Sequence, residues 1–407
     1  MFPPPPPWSQ HIVSLGVTGT NGKTTTTTYL AHALETLHTP VLRVTTMGSF
    51  LGREKLSVEA NYDGFITAMK SALEAGAKYA ALECTSEALA AGFAKAWPIS
   101  MGVFTNLTRD HLDSHGSAEH YLASKAQLFV HLPPAGSAIV NGYDPASALL
   151  AEIIPNGVQV VSYGVSSRLS GQPAALPVDI SASEIVVSYE GTQANLRAAK
   201  WFGEEERRLR LQAVGDMYVE NALAALAAAI QMGARFDDAL CAIEQTPPVP
   251  GRFEVVGTGP RAVIDYGHSP DAIERTLRTA RALCRGKLVI VFGAGGGRDK
   301  GKRASMGAAA RGADEIVLTS DNPRMEDPAA ITQAIRQGLG THRHVSIELD
   351  RERAIRTICE KLAADDVVVV AGRGPETHQI LADGPRNLVD ADVVRQAFGL
   401  MSSSGCD

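Results

Sequence analysis

Cysteine is scarce. Of 407 residues five are cysteines (Cys84, Cys241, Cys284, Cys359, Cys406), and no two form a C-x-x-C pair. That speaks against a disulfide framework and for reduced thiols in a cytoplasmic protein. The net charge is only -6, so no global basic field argues for a nucleic-acid partner. No apolar run approaches the ~18–20 residues of a membrane span. The N-terminus, Met1-Phe2-Pro3 through Pro7, lacks the charged and apolar regions of a signal peptide. Residues 1–10 read instead as an extended, poorly ordered, proline-rich lead-in. There is no fixed-period repeat. What remains is the make-up of a soluble globular protein, 45% hydrophobic and 20% charged, long enough for two or three domains with proper cores.

Within that ordinary composition one stretch stands out. Gly16-Val17-Thr18-Gly19-Thr20-Asn21-Gly22-Lys23-Thr24-Thr25 follows the apolar run Ile12–Leu15 and precedes a helical pattern, Tyr29–Leu34. Strand, Gly-rich turn, Lys-Thr and helix in that order hold a polyphosphate. The glycines let backbone N–H groups curl around phosphate oxygens, and the helix N-terminus adds partial positive charge. Lys23 can reach the terminal phosphates and the Thr24 hydroxyl can ligate Mg²⁺. The standard phosphate loop has Gly where Val17 stands, so the pattern here is Gly19-x-x-Gly22-Lys23-Thr24. The plain alternative is a Gly-rich turn with a surface lysine.

Residues 11–249 alternate apolar runs with helical patterns, as a doubly wound α/β domain does. Expected strands are Tyr79–Glu83, Met101–Thr105 and Ser137–Val140, and Asn221–Met232 reads as a helix. In residues 165–212, Ile185–Tyr189 and Leu209–Gln212 suggest antiparallel strands, as an edge sheet or flap. The prolines of Thr246–Arg252 break both helix and strand and mark the boundary to a second unit, residues 250–407. Its expected strands are Ala262–Asp265, Leu288–Phe292, Glu315–Thr319 and Val367–Ala371, in a mostly parallel sheet.

Ligands of α/β sheets gather at the carboxyl ends of strands. Glu83 ends one strand, and the next runs into Thr105-Asn106-Leu107-Thr108-Arg109-Asp110-His111-Leu112-Asp113. A carboxylate and an imidazole on the phosphate-loop rim suit Mg²⁺ held between protein and nucleotide. The alternatives are a capping or surface carboxylate and a satisfied structural histidine.

Gly19–Thr25, Glu83, Thr105–Gly116 and Tyr121-Leu122-Ala123-Ser124-Lys125 together resemble the Mur ligase family, most closely its MurE type, from about residue 11 to residue 398. The resemblance implies a P-loop-type central ATPase domain followed by a smaller Rossmann-like α/β domain. It implies that Gly19, Asn21, Gly22, Lys23, Thr24 and Thr25 hold ATP, and that Thr24, Glu83, His111 and Lys125 serve Mg²⁺, Lys125 as a carbamate. On its own Lys125 reads as an ordinary helix-surface cation.

Further along, Gly215–Asn221 resembles the family's G-x-x-N-x-x-N, with Tyr218 at its first Asn and Asn221 at the second, which lies near the adenine. Gly251-Arg252-Phe253-Glu254 resembles G-R-x-E, whose Arg approaches the nucleotide when the domains close. Asp265-Tyr266-Gly267-His268-Ser269-Pro270 resembles D-Y-A-H-x-P, which implies a ribose contact for Asp265 and nucleotide contacts for Tyr266 and His268. Gly295–Arg303, with Arg298, resembles G-G-x-R-D-x-x-K-R. Asp321-Asn322-Pro323-Arg324 matches the D-N-P-R of MurE types that add meso-diaminopimelate, whose Arg grips the distal carboxylate bidentately. Gly372-Arg373-Gly374-Pro375-Glu376 resembles G-K-G-x-E, whose Gly and Glu receive the distal amino-acid end.

The chain also departs from the family. With the phosphate loop at residue 19, the family's N-terminal UDP-binding domain is expected to be missing. Asn61-Tyr62-Asp63 stands where the family reads N-T-T, and Glu87 and Phe93 stand where it has His and Arg. Losing cationic groups disfavours a diphosphate-linked anionic substrate. The expected function is therefore an ATP-dependent carboxylate–amine ligase working through an acyl phosphate, on an acceptor other than UDP-N-acetylmuramoyl-dipeptide. The alternatives are an orthodox MurE-type ligase with the missing domain supplied in trans, and a nucleotide-binding switch or hydrolase without ligation. The expected partners are a small-molecule amino acid and a carboxylate.

Overall fold

The computed structural model describes residues 2–108, 116–165, 174–198 and 206–400. The chain divides into two compact α/β units, the first covering most of the chain up to Pro247 and the second running from Pro248 onward.

The first unit is built on one eleven-stranded sheet. Its strands are β1 (Val13–Thr18), β2 (Leu42–Thr45), β3 (Gly48–Leu51), β4 (Glu54–Lys55), β5 (Tyr79–Glu83), β6 (Met101–Phe104), β7 (Ser137–Asn141), β8 (Gln159–Val165), β9 (Ile180–Ser188), β10 (Gly191–Arg197) and β11 (Glu206–Leu211). They lie in the order β11-β10-β9-β8-β7-β6-β1-β5-β2-β3-β4. The middle of the sheet is parallel, with β5 and β6 flanking β1 in a register that pairs Val17 with Glu83 and Thr18 with Phe104. The carboxyl ends of these three strands therefore share one rim. Strands buried on both faces read as near-continuous apolar runs, which is why they are visible in the sequence.

At the expected antiparallel edge, β10 and β11 pair antiparallel, while β9, which carries Ile185–Ser188 and lies beside β10, also pairs in parallel with β8 through Ile180–Ala182, Tyr163 opposite Ile180. A parallel pair needs a crossover of a dozen or more residues, and the chain between Val165 and Ile180 has that length.

Helix α1 (Lys23–Leu34) starts at the phosphate-loop lysine and contains Thr24 through Thr28, all buried. Five successive β-branched residues are poor helix formers. Thr27 and Thr28 return their hydroxyls to the carbonyls of Lys23 and Thr24, each at 2.8 Å. Packing on α3 (Met217–Gln231), an alanine-rich helix buried along most of its length, holds α1 in place of propensity. Helix α2 (Ala118–Val130) presents Tyr121 and Lys125 as buried residues.

The proline-rich lead-in is more structured than its composition suggests. Pro7–His11 forms a short 3-10 helix. The Phe2 ring packs 4.9 Å from that of Tyr62 and 5.7 Å from that of Phe93, and Trp8 lies 6.1 Å from Trp97. The prolines keep the backbone extended, while the aromatic residues at the two ends of the run dock it.

The second unit has a six-stranded sheet in the order β12-β13-β17-β14-β15-β16. These are β12 (Glu254–Val256), β13 (Arg261–Asp265), β14 (Leu288–Phe292), β15 (Glu315–Leu318), β16 (Val345–Ile347) and β17 (Val367–Ala371). All pairs are parallel except β12 with β13. A hairpin, β18 (His378–Leu381) and β19 (Gly384–Asn387), follows, and helices α4 (Pro270–Leu283), α5 (Arg351–Cys359) and α6 (Asp390–Ala397) complete the parts that reach the strand ends. The loops after β13, β14, β15 and β17 emerge on the carboxyl rim. No described helix is long and apolar enough to cross a membrane.

Candidate active site

In the first unit the loop after β1 is pinned from two sides. Asn106 accepts from the Asn21 backbone N–H at 2.9 Å and donates to the Asn21 carbonyl at 3.1 Å, and the Thr105 hydroxyl donates to that carbonyl at 2.7 Å. Gly19 and Gly22 have φ of 149° and 86°, conformations that L side chains rarely adopt. A Cβ on Gly19 would also overlap the Thr105 hydroxyl, and one on Gly22 the Asn221 amide oxygen. Asn221, far away in sequence, thus sits against the loop from the first turn of α3.

Lys23 Nζ donates to the carbonyls of Gly19 at 3.1 Å and Thr20 at 2.8 Å, folded over its own loop. The Thr24 hydroxyl donates to Glu83 Oε2 at 2.9 Å, and the Thr46 backbone N–H donates to the same oxygen at 3.2 Å. Thr25 is buried as well. Lys125 is not a surface cation: it is 1% exposed, and its Nζ donates to the Gly19 carbonyl at 2.8 Å and lies 4.2 Å from the centre of the Tyr121 ring. Thr24, Glu83 and Lys125 are therefore gathered around the loop. His111 lies outside the described residues. Thr24 and Glu83 offer hard oxygens, the donor type Mg²⁺ takes. Among the described residues no group of three or more His, Cys, Asp or Glu could cage a metal. Two such donors beside the phosphate loop suit a cation shared with nucleotide phosphates.

In the second unit Asp265, at the end of β13, is buried. It accepts from the backbone N–H groups of Phe253 at 2.9 Å and Gly267 at 2.8 Å, and from the Thr276 hydroxyl of α4 at 3.0 Å. Burial pushes its carboxyl above the usual range, against these donors and Arg252. Its two oxygens still have lone pairs to spare. The Arg252 guanidinium lies 4.2 Å from the centre of the Tyr266 ring, which meets the His268 ring at 4.8 Å. These residues form one polar and aromatic cluster.

The loops after β14, β15 and β17 form a second cluster. Arg324 has φ of 53°, rare for a residue with a side chain. Its backbone N–H donates to the Ile380 carbonyl at 3.0 Å, and its Nη1 donates to the Gly296 carbonyl at 2.6 Å. A Cβ on Gly295 would lie 3.3 Å from Arg324 Nη1 and 3.5 Å from Arg298 Cγ, so both arginines border this glycine. Asn322 donates from Nδ2 to Glu376 Oε2 at 2.7 Å and accepts from the Ile380 N–H at 2.8 Å. The carboxylate of Asp321 fills the space that a Cβ on Gly372 would need. Burial raises the Glu376 carboxyl above its ordinary range.

Sequence reasoning missed what supports this cluster. Glu326 accepts from the Gly297 N–H at 2.6 Å and from Arg303 at 3.1 and 3.2 Å, and the Arg303 hydrogen bonds hold its carboxyl down at about 2. Arg351 and Arg373, fully buried, share Asp390. No local spacing could reveal pairs so far apart in the chain.

The sequence profile of the Mur ligase middle domain matches residues 17–229, and that of the Mur ligase glutamate ligase domain matches residues 251–374. UDP-N-acetylmuramoyl-L-alanyl-D-glutamate–2,6-diaminopimelate ligase of Thermosynechococcus vestitus is 37% identical over 96% of this chain and 77% of its own length. The enzyme of the same name from Vibrio vulnificus is 36% identical over 95% of this chain and 77% of its own. A solved structure of a ligase of that name superimposes with a TM-score of 0.63 at 30% identity, covering 95% of this chain and 78% of the other.

Proposed function

This chain belongs to the Mur ligase family, whose members are ATP-dependent, ADP-forming amide ligases, and on that premise we propose that it adds a 2,6-diamino dicarboxylic acid to a UDP-N-acetylmuramoyl-dipeptide. The P-loop-type central domain and the Rossmann-like α/β domain are those of the family. The relatives' names favour this acceptor over the different one expected from Tyr62, Glu87 and Phe93. Phe93 bears on that expectation in another way too: its ring is engaged by Phe2 and Phe65, so its position is part of an aromatic core.

The observation that carries the reading of the amine is the Arg298, Asn322, Arg324 and Glu376 cluster. Among the described residues, Arg298 makes no hydrogen bond and Arg324 spends one guanidinium N–H on Gly296. Two guanidinium groups with donors to spare suit a carboxylate, and Glu376 beside them suits an ammonium. An amino acid whose distal end carries both groups fits that pattern, with Asp321 and Gly372 shaping the wall behind it.

In the reaction we propose, the acceptor carboxylate attacks the γ-phosphorus of ATP, giving an acyl phosphate and ADP. The amine then attacks the acyl carbon, and an amide and phosphate are released. Gly19, Asn21, Gly22 and Lys23 bind the phosphates. Asn221, Arg252, Asp265, Tyr266 and His268 are nucleotide-binding residues. Thr24, Glu83 and, as a carbamate, Lys125 would hold Mg²⁺, as His111 would by its motif, and the cation would supply charge that offsets the transferring phosphoryl group.

The test is the mass of the product formed from ATP, UDP-N-acetylmuramoyl-L-alanyl-D-glutamate and a panel of amino acids. A product heavier by a dehydrated diaminopimelate supports the proposal. ADP release with other carboxylates and none with this dipeptide overturns it. Arg324→Ala should raise the KM for the diamino acid by about 10–100-fold, the worth of one charge-assisted carboxylate contact, with the KM for ATP unchanged. Parallel steady-state titrations of the two substrates check this.

A further inference from the structure

Arg373 stands where the resemblance expects a lysine, and it does not face solvent. Its side chain is 0% exposed. Nη1 donates to Asp390 Oδ1 at 3.1 Å and Nη2 to the Leu388 carbonyl at 2.9 Å. Arg351, equally buried, takes both oxygens of Asp390, at 2.9 and 2.7 Å, and donates to the Ala371 carbonyl at 2.9 Å. Two guanidinium groups thus rest on one carboxylate. Nε of Arg373 is buried with no hydrogen-bond partner among the described residues, and it lies 3.7 Å from Glu376 Oε2. A buried N–H left unmet is disfavoured, so its place beside a carboxylate calls for an explanation.

We infer that Arg373 is a positioning residue: the excess positive charge of the Arg351–Asp390–Arg373 cluster, delivered through Arg373, holds Glu376 in place as the anionic partner of the amine substrate's distal ammonium. The inference rests on the reading of Glu376 as part of the amine site. The charged groups around Glu376 are Asp321 from the loop after β15, Arg373 from the end of β17 and Arg351 from α5, with Asn322 as its neutral hydrogen-bond donor. Burial and Asp321 both favour the protonated form of Glu376, while Asn322, Arg373 and Arg351 oppose it. Arg373 is the cation whose removal leaves Asp390 still paired, because Arg351 keeps both of its oxygens. The planar fork also serves three directions at once, toward Asp390, Leu388 and Glu376, which a lysine ammonium on a flexible stem does less well.

The test uses the full chain and steady-state ADP release, with Arg373→Met, Arg373→Lys and Glu376→Gln compared from about pH 6 to about pH 9. Without the Arg373 charge, Glu376 takes up its proton at a higher pH than in the unaltered protein, so the defect must deepen as pH falls. Arg373→Met is expected to raise the KM for the diamino acid about tenfold or more at the acid end, with the gap closing at the alkaline end. The KM for ATP and kcat should move by less than about threefold. Arg373→Lys should restore most of the acid-side affinity, and it carries the test if Arg373→Met fails to fold. In that case its diamino-acid KM must still rise relative to wild type, most at the acid end.

An amine KM that is unchanged, or raised by the same factor at every pH, overturns the inference. Glu376→Gln separates the two levels. If it raises the amine KM and the Arg373 variants do not, the inference fails and the amine site stands. If Glu376→Gln leaves the amine KM untouched, the amine-site reading itself fails.

Discussion

Replacing Lys23 by alanine lowers ATP turnover by about 10²–10⁴-fold, the scale for removing a preorganised charge from a transition state, while the protein stays folded. The geometry supports both halves of that expectation. Lys23 Nζ lies on the carbonyls of Gly19 and Thr20, at 3.1 and 2.8 Å. Those are ordinary hydrogen bonds, which phosphate oxygens can replace at little cost. The loop's shape rests on other groups: Asn106 and Thr105 bracket Asn21, and Asn221 abuts Gly22. Truncating Lys23 removes none of them. The loss should therefore fall on kcat, with the thermal melting curve little changed. Release of ADP, measured with all other substrates saturating, checks it. Turnover within a few-fold of the unaltered protein would remove the phosphate-loop assignment.

The sequence was legible where chemistry follows the end of an apolar run. The runs Tyr79–Leu82, Leu288–Phe292 and Val367–Val370 must be strands in any arrangement that buries them, and a parallel sheet sends their carboxyl ends to one rim. Glu83 and the glycine-rich and Asp-Asn-Pro-Arg loops are thus placed by the sequence alone. What could not be read depended on distant partners. Asn221 could be seen to open a helix, but its contact with Gly22 required the packing of α3 on α1. Phe2 and Trp8 looked like part of a disordered lead-in because the prolines between them dominate the local pattern, whereas their partners Tyr62 and Trp97 come from elsewhere. The Arg351–Asp390–Arg373 cluster left no trace in spacing, since helix α5, helix α6 and the end of β17 each supply one member.

Lys125→Ala is expected to cost activity by about 10–100-fold or more, the range for losing support of a metal site, and short carboxylic acids should restore part of it. Buried lysines are rare unless something repays their desolvation. Here Nζ sits at 2.8 Å from the Gly19 carbonyl, against the Tyr121 ring and at the base of the loop that carries Lys23 and Thr24. Addition of CO₂ to the neutral amine, with loss of one proton, turns this position from a cation into a carbamate with two hard oxygens, the donor type Mg²⁺ prefers. The unmodified amine instead adds a positive charge beside a site meant for a cation and phosphates, and its best service there is to hold Gly19. The two roles separate experimentally. Acetate or propionate supplies carboxylate oxygens to the space left by Lys125→Ala, whereas ethylamine supplies an ammonium. Recovery with the acids alone, together with a carbamate carbon signal from the unaltered protein under ¹³C-labelled CO₂, supports the carbamate. Recovery with the amine alone assigns Lys125 to the loop, as a cation that braces Gly19. Lys125→Met, which preserves most of the buried volume, should be as inactive as the alanine variant if oxygens are what the site needs. It should retain substantial activity if Lys125 only fills space beneath the phosphate loop.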